Sequence, residues 1–474
     1  MFIGRKKELE ELNGILGLRC ANLIVIKGRR RVGKSRLIKE FAKPYKSYEF
    51  MGLPPDNNVT PQTQRNEFIR KFREQFQYPK FHSNDWGDLF TMLSKQCENG
   101  RVIIILDEIS WMANDDPTFL GKLKTVWDTH FSNNSQLILI LCGSVSSWID
   151  KNILSNTGYL GRPSLHMTIE ELPLEDCNKF WPKHAAGVSA FEKLKILSVT
   201  GGIPRYLELV DHRISAEENI SKLFFNKNSA LYDEFKYIFS DIYGKRSTKY
   251  IEIIRLLGVS VASRDDILKS LKSQSGGDVT ECLDDLQVGG FIDRDYTWNI
   301  RTQNISNMCH YRLKDNYTRF YLKFILPNNV KIEKGRFDKI PINNLPGWNT
   351  IIALQFENLV INNHNKILKI LGINSADVIM ANPYFQRATL RQKGCQIDYL
   401  IQTKQDIVYI CEIKFSRTQI TSPIISEVRQ KIDSIALPKY VSRRAILIHV
   451  NDVSDEVIDS GFFAKIIDFT EFLN

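Results

Sequence analysis

No apolar run in this sequence approaches the ~20 residues that a membrane span needs. The opening Met1-Phe2-Ile3-Gly4-Arg5-Lys6-Lys7 has no apolar stretch of the signal-peptide kind. Both absences lead to the expectation of a cytosolic protein that makes no membrane contact. The 8 cysteines are scattered, with no CxxC pair and no histidine at zinc-ligand spacing. That favours buried reduced thiols over a disulfide framework or a zinc site. Disorder is excluded as well, since 43% hydrophobic and 25% charged residues make an ordinary globular composition. A chain of 474 residues outgrows a single core and should divide into two to four domains.

The net charge of +10 favours polyanionic partners, nucleic acid above all. It is unevenly placed. Residues 341–474 carry 14 Lys and Arg against 13 Asp and Glu, so the excess lies in the first 340 residues. Part of it is Arg29-Arg30-Arg31, and nucleotide phosphates alone can account for that cluster.

Leu23-Ile24-Val25-Ile26 reads as a buried strand, and Gly28-Arg29-Arg30-Arg31-Val32-Gly33-Lys34-Ser35 follows as G-x-x-x-x-G-K-[ST]. Leu37, Ile38 and Phe41 continue at helical spacing. Strand, glycine loop and helix in that order make a P-loop. Inward backbone N–H groups and the positive helix end cradle phosphates. The loop residues Gly28 to Ser35, with Arg36, are therefore assigned to ATP. Lys34 reaches the β- and γ-phosphates and Ser35 holds Mg2+. Val102-Ile103-Ile104-Ile105-Leu106 is a second buried strand ending in Asp107-Glu108. Asp107 is assigned to the metal and Glu108 to the general base. A third strand, Gln136 to Cys142, ends at Gly143-Ser144. Ser144 either sits beside the γ-phosphate or caps the next helix.

Phe2-Ile3-Gly4-Arg5-Lys6-Lys7-Glu8-Leu9, the P-loop, Asp107-Glu108 and Ser144 resemble the AAA+-related ATPases of the archaeal-type, STAND-like group. The resemblance implies that the opening segment lies against the adenine. Leu160-Gly161-Arg162 resembles the group's LxGR element, which makes Arg162 a candidate arginine finger, in cis or from a neighbouring subunit of a homo-oligomer. The alternative is a surface salt bridge. Gly201-Gly202-Ile203-Pro204-Arg205-Tyr206-Leu207 resembles its GGxPxYL signature, with Arg205 facing the nucleotide.

Residues 172 to about 237 read as a helical lid. Tyr250 to Leu257, Ser263 to Leu271 and Val279 to Leu286 then read as three helices, and Gly289-Gly290-Phe291-Ile292 turns into a hairpin, together a winged helix. Its third helix exposes Asp278, Glu281, Asp284 and Asp285, an acidic face that favours a structural role over DNA reading. Residues 311–324 are dense in aromatics, and the same family carries such a segment for packing. Pro327 to about Pro346 reads as a linker.

The last part opens with a helix bearing Glu357. Strand Ile397-Asp398-Tyr399-Leu400-Ile401 and strand Ile407 to Lys414 follow, then a helix around 424–435. Glu412 and Lys414 are two apart and share a face. Asp398, thirteen residues and Glu-x-Lys resemble the PD-(D/E)XK restriction-endonuclease-like fold, although Ile397 replaces the usual proline. In that reading Asp398, Glu412 and Glu357 hold Mg2+ or Mn2+, Lys414 positions the attacking water, and Gln430 or Lys431 touches phosphate.

The expected organisation is a RecA-like α/β P-loop ATPase core (1–170), a helical lid (171–240), a winged helix with the aromatic segment (241–330) and a restriction-endonuclease-like α/β domain (345–474). The expected function is an ATP-controlled, metal-dependent DNA nuclease, set by family resemblance in mobile-element or phage defence. The alternative is a STAND-like signalling ATPase whose last domain only binds nucleic acid or protein.

Overall fold

Strands that are apolar at every position must be covered on both faces, and the chain does this early. A computed structural model describes residues 2–55, 58–182, 187–243, 247–272, 276–337, 341–390 and 392–473. Five parallel strands, β1 (Asn22–Lys27), β2 (Lys46–Met51), β3 (Val102–Asp107), β4 (Ile138–Gly143) and β5 (Pro163–Thr168), form one sheet in the order β2-β3-β4-β1-β5. One face buries Ile24, Ile26, Ile103 and Ile140 with Leu37 and Phe41 of helix α1 (Lys34–Ala42). The other buries Leu23, Val25, Ile104 and Leu139 with Phe68, Trp86 and Phe90. This is an α/β P-loop sheet, with the glycine loop at the C-terminal end of β1.

Short helices follow, among them α2 (Ala190–Thr200), which Ser189 caps by accepting a hydrogen bond from the Glu192 N–H. Three more helices, ending in α3 (Gly276–Val288), precede a hairpin of β6 (Ile292–Trp298) and β7 (Ile305–Leu313). Helix α3 packs on the short helix Ser146–Ile149 of the first sheet's layer. Three of its four acidic side chains meet partners in the chain: Asp278 pairs with Lys249, Asp285 accepts from the Tyr250 hydroxyl, and Glu281 lies 3.9 Å from Lys151 at the surface.

The last part begins with α4 (Trp348–Asn362). It is built on strands β8 (Val378–Gln386), β9 (Cys395–Thr403), β10 (Ile407–Phe415), β11 (Ser442–Val450) and β12 (Lys465–Asp468), in the order β12-β11-β10-β9-β8. β8, β9 and β10 are antiparallel; β10, β11 and β12 are parallel. Helix α4 covers one face and α5 (Pro423–Ser434) packs on the other.

The stretch expected to be a linker is packed instead. Ile332, Phe337, Ile342 and Leu345 are buried in the same core as the first sheet. Leu194 and Leu197 of α2 likewise share a core with Phe356 and Leu359 of α4. Turn-forming residues mark where a chain bends, and the four buried apolar side chains between them keep this bend inside the core. Among the described residues, no helix is long and apolar enough to cross a membrane.

Candidate functional site

Gly28 (φ 148°) and Gly33 (φ 96°) hold the loop in backbone conformations that side chains rarely adopt, and a Cβ at Gly28 would strike the Ile169 carbonyl. The loop thus closes against the end of β5. Lys34 is 6% exposed and donates to the carbonyls of Gly28 (2.8 Å) and Arg29 (3.0 Å). The Ser35 hydroxyl donates to Asp107 at 2.6 Å, so the two groups expected around Mg2+ stand side by side. The donor set is hard oxygen, as Mg2+ prefers.

Glu108 occupies a left-handed conformation (φ 50°) immediately after β3. Its carboxylate accepts from the Ser144 N–H (3.1 Å) and hydroxyl (2.9 Å). The Ser144 side chain is thereby committed to Glu108. It does not cap the helix Ser146–Ile149, whose N-cap position is Val145. It holds Glu108 across the ends of β3 and β4.

The arginines of the loop need a correction. Arg29 is 5% exposed, pairs with Asp315, lies 3.7 Å from Glu171 and stacks over the Phe291 ring. Arg31 makes a two-pronged pair with Glu234 (3.0 and 3.1 Å), and Arg36 pairs with Glu208. These side chains face protein carboxylates, so Arg29, Arg31 and Arg36 offer a phosphate their backbone rather than their charge. Arg205 sits beside the loop, where Pro204 approaches Gly33, and pairs with Glu208 at 3.3 Å. Val32 is pinned from outside: its carbonyl accepts from Arg5, which also reaches the Glu170 carbonyl. Arg5 ties the opening segment to the loop.

Arg162 requires a second correction. Its neighbour Pro163 pairs with Leu23, at the start of β1, while the P-loop follows the end of that strand. Five residues of extended chain separate the two edges, roughly 16 Å at the usual rise. Arg162 therefore does not reach the nucleotide of its own chain. It forms a two-pronged pair with Asp128 (2.8 and 2.9 Å), the surface salt bridge of the alternative reading.

A second polar centre lies in the last part. Asp398 on β9 accepts from the Ile413 N–H of β10 at 2.9 Å. Glu412 on β10 is 2% exposed and stands 3.0 Å from Lys414. Lys431 from α5 reaches Glu412 at 2.6 Å and Asp398 at 3.3 Å. Lys414 also pairs with Glu427 at 3.3 Å. Among the described residues, no group of three acidic, histidine or cysteine side chains is close enough to hold a metal. The expected three-carboxylate set of Glu357, Asp398 and Glu412 is thus not assembled as such. The ammonium of Lys431 bridges two of them, because an unpaired buried carboxylate pair would be costly. Burial, then the charge of Glu412, raises the Asp398 carboxyl above its usual range. Burial and the Asp398 charge push Glu357 up to about 7. Burial alone would lower Lys431, yet the Asp398 and Glu412 charges hold it above the usual lysine value.

Glu357 has a consequence for stability. Below about 7 the folded chain keeps a proton that the unfolded chain releases near the ordinary glutamate value. This contribution is full below that ordinary value and is lost as pH rises through about 7. Glu357→Gln removes the titrating group. Urea midpoints measured from about pH 5 to about pH 8 should show the wild type losing stability relative to the variant. Parallel curves would contradict the assignment.

Residues 2–210 match a family described as an ATPase domain predominantly from Archaea, and this part of the chain is a P-loop ATPase domain of that kind. An uncharacterized protein of Methanocaldococcus jannaschii, MJECL04, is 27% identical over 342 residues, covering 71% of this chain and 72% of that protein. An uncharacterized ATP-binding protein of the same organism, MJ0423, is 56% identical over 41 residues, 9% of this chain and 70% of that one. Among solved structures, the Walker-type ATPase of Pyrococcus abyssi has a TM-score of 0.46 at 16% identity, covering 68% of this chain and 96% of that one. The ORC2 protein of Aeropyrum pernix has 0.44 at 15%, covering 70% and 94%.

Proposed function

We propose that this chain, whose residues 2–210 are a P-loop ATPase domain, is an ATP-hydrolysing protein that controls a metal-dependent DNA nuclease in its last part. On the ATPase side, Lys34 and the loop N–H groups bind the phosphates, Ser35 and Asp107 hold Mg2+, and Glu108 accepts the proton of the attacking water. Ser144 fixes the Glu108 carboxylate in position. Arg162 on the sheet's far edge is left to act on a neighbouring subunit of a homo-oligomer.

The observation that carries the nuclease reading is the meeting of Asp398, Glu412 and Lys414 on adjacent strands. In the restriction-endonuclease-like arrangement these are the two carboxylates and the lysine of the reaction. A divalent cation held by Asp398 and Glu412, with Glu357 nearby, would supply a water of lowered pKa and charge for the phosphate. Lys431 holds that place in charge terms and would yield to the cation. Lys414 stays to orient the water. The fold alone does not establish catalysis.

The test uses plasmid and linear single-stranded DNA with Mg2+ or Mn2+, with and without ATP. Cleavage by the wild type and not by Asp398→Ala is the expected result, with ATP turnover equal in both. Equal cleavage by the variant, or none by either under every metal and nucleotide, would sink the nuclease and leave the signalling ATPase of STAND-like type. The observation on that side is the near balance of 14 basic and 13 acidic residues in 341–474. A setting in phage or mobile-element defence belongs to the same proposal.

A further inference from the structure

The hairpin and the last sheet enclose a cleft of about 660 Å³ that neither candidate centre uses. One wall is the hairpin tip, with Asn299 and Arg301; another is the end of β8, with Phe385 and Arg387; the third is the turn after α5, with Lys439 and Tyr440. The walls are fastened together. The Trp298 indole donates to Gln402 at 2.5 Å, and Gln402 donates to the Ile300 carbonyl at 2.9 Å. The Trp298 ring meets Tyr384 edge-on at 5.2 Å. Gln386 donates to the Ser434 carbonyl (2.8 Å) and accepts from the Ala436 N–H (2.9 Å), which ties β8 to the end of α5.

The chemistry of the lining is one-sided. Arg301, Arg387 and Lys439 bring three positive charges, and the described lining holds no carboxylate. None of the three forms an ion pair among the described residues. Tyr440 is 60% exposed and offers a free ring, and the Phe385 ring is half-buried against His310. Of the amides, Gln386 is engaged at both ends as above, Gln392 donates to the Arg387 carbonyl, and the Asn299 oxygen accepts from the N–H groups of Arg301 and Thr302. Unpaired cations beside an exposed ring suit phosphates and stacked bases, contacts that carry little information on base identity.

We propose that this cleft binds single-stranded nucleic acid with little sequence preference and leads it to the Asp398 centre; the second half of that statement rests on the nuclease reading above. Position supports it. Tyr384 pairs with Ile397, one residue before Asp398, and α5 carries Lys431 at the acidic centre before running into the cleft's third wall. A duplex presents phosphates along two strands and needs a broad basic surface, which the near-neutral last part lacks. A cleft with three cations is matched to one strand.

The test is the anisotropy of a fluorescein-labelled oligothymidylate with the full chain, in EDTA so that no cleavage intervenes. The combined variant Arg301→Glu, Arg387→Glu, Lys439→Glu should bind about 100-fold more weakly at low salt, and its salt slope should fall by about 0.7 per cation removed. Tyr440→Ala should weaken binding about 10-fold through lost stacking. Both variants should keep wild-type ATP turnover, which shows that they fold. Unchanged affinity in both variants would overturn the proposal. So would a hairpin duplex that displaces the probe as well as unlabelled oligothymidylate does, or thymidine monophosphate that does so at equal nucleotide concentration. Asp398→Ala should bind as the wild type does. Failure of the nuclease therefore shows as absent cleavage with binding intact, and failure of the cleft as insensitivity of the probe to these variants.

Discussion

Arg29→Ala is expected to cost the protein about 3–5 kcal/mol of stability, the range for removing one member of a buried ion pair. Arg29 and Asp315 are 5% and 1% exposed, so the variant strands a carboxylate with almost no water to compensate it. The Asp315 side chain also accepts from the Thr318 N–H at 2.7 Å, which opens the helical segment beginning at Asn316. The loss should therefore spread into the aromatic core around Tyr317 and Phe320. Urea unfolding measures it. Removal of both partners in Arg29→Met, Asp315→Leu should recover most of the loss, because the penalty comes from the orphaned charge. A double variant as unstable as the sum of the singles would show that the two side chains act independently. The pair also joins the phosphate loop to the segment after the hairpin, with Arg31 and Glu234 beside it. Under the nuclease reading proposed above, the recovered double variant should bind ATP while ATP no longer alters cleavage.

The second large effect is expected in Glu108→Gln, which should lower ATP turnover about 10²–10⁴-fold, the contribution of a positioned general base. A glutamine fits the same space and can still accept from the Ser144 N–H and hydroxyl, which now stand 3.1 and 2.9 Å from the carboxylate. It cannot take up a proton. Nucleotide affinity should stay near that of the wild type, since Lys34, Ser35 and Asp107 are untouched. Steady-state phosphate release and equilibrium binding of a labelled ATP analogue separate the two quantities. Turnover within a factor of a few of the wild type would remove Glu108 from the role of base. Ser144→Ala should lower turnover less and leave the reaction's pH profile in place, as expected of a residue that only positions another.

The local parts of the ATPase site were legible because their signals are local. A strand, a glycine loop and a helix follow one another in sequence, and Lys34 and Ser35 lie where the G-x-x-x-x-G-K-S spacing puts them. Asp107 and Glu108 close an apolar run that can only be a buried strand. The same holds for Asp398 and Glu412, whose strands are adjacent in sequence and pair as a hairpin. The arginines of the loop were misread for the opposite reason. Spacing places Arg29 near phosphate, but Asp315 is 286 residues away and nothing in the local pattern announces it. A lone aspartate among aromatics between two arginines was the available hint.

From the sequence alone follow the P-loop, the carboxylates that end β3, the paired strands of the last sheet and the three helices before the hairpin. Periodicity and motif spacing encode which face of an element is buried and which residues share it. They do not encode which element is stacked against that face. Only the tertiary structure sent Arg29 and Arg31 to protein carboxylates, turned Ser144 onto Glu108, and placed Arg162 at the far edge of the sheet. It also set Lys431 between Asp398 and Glu412, and gathered Arg301, Arg387 and Lys439 from three separate segments into one cleft. Charges buried or half-buried in a packed interior must find partners, and packing brings those partners from anywhere in the chain.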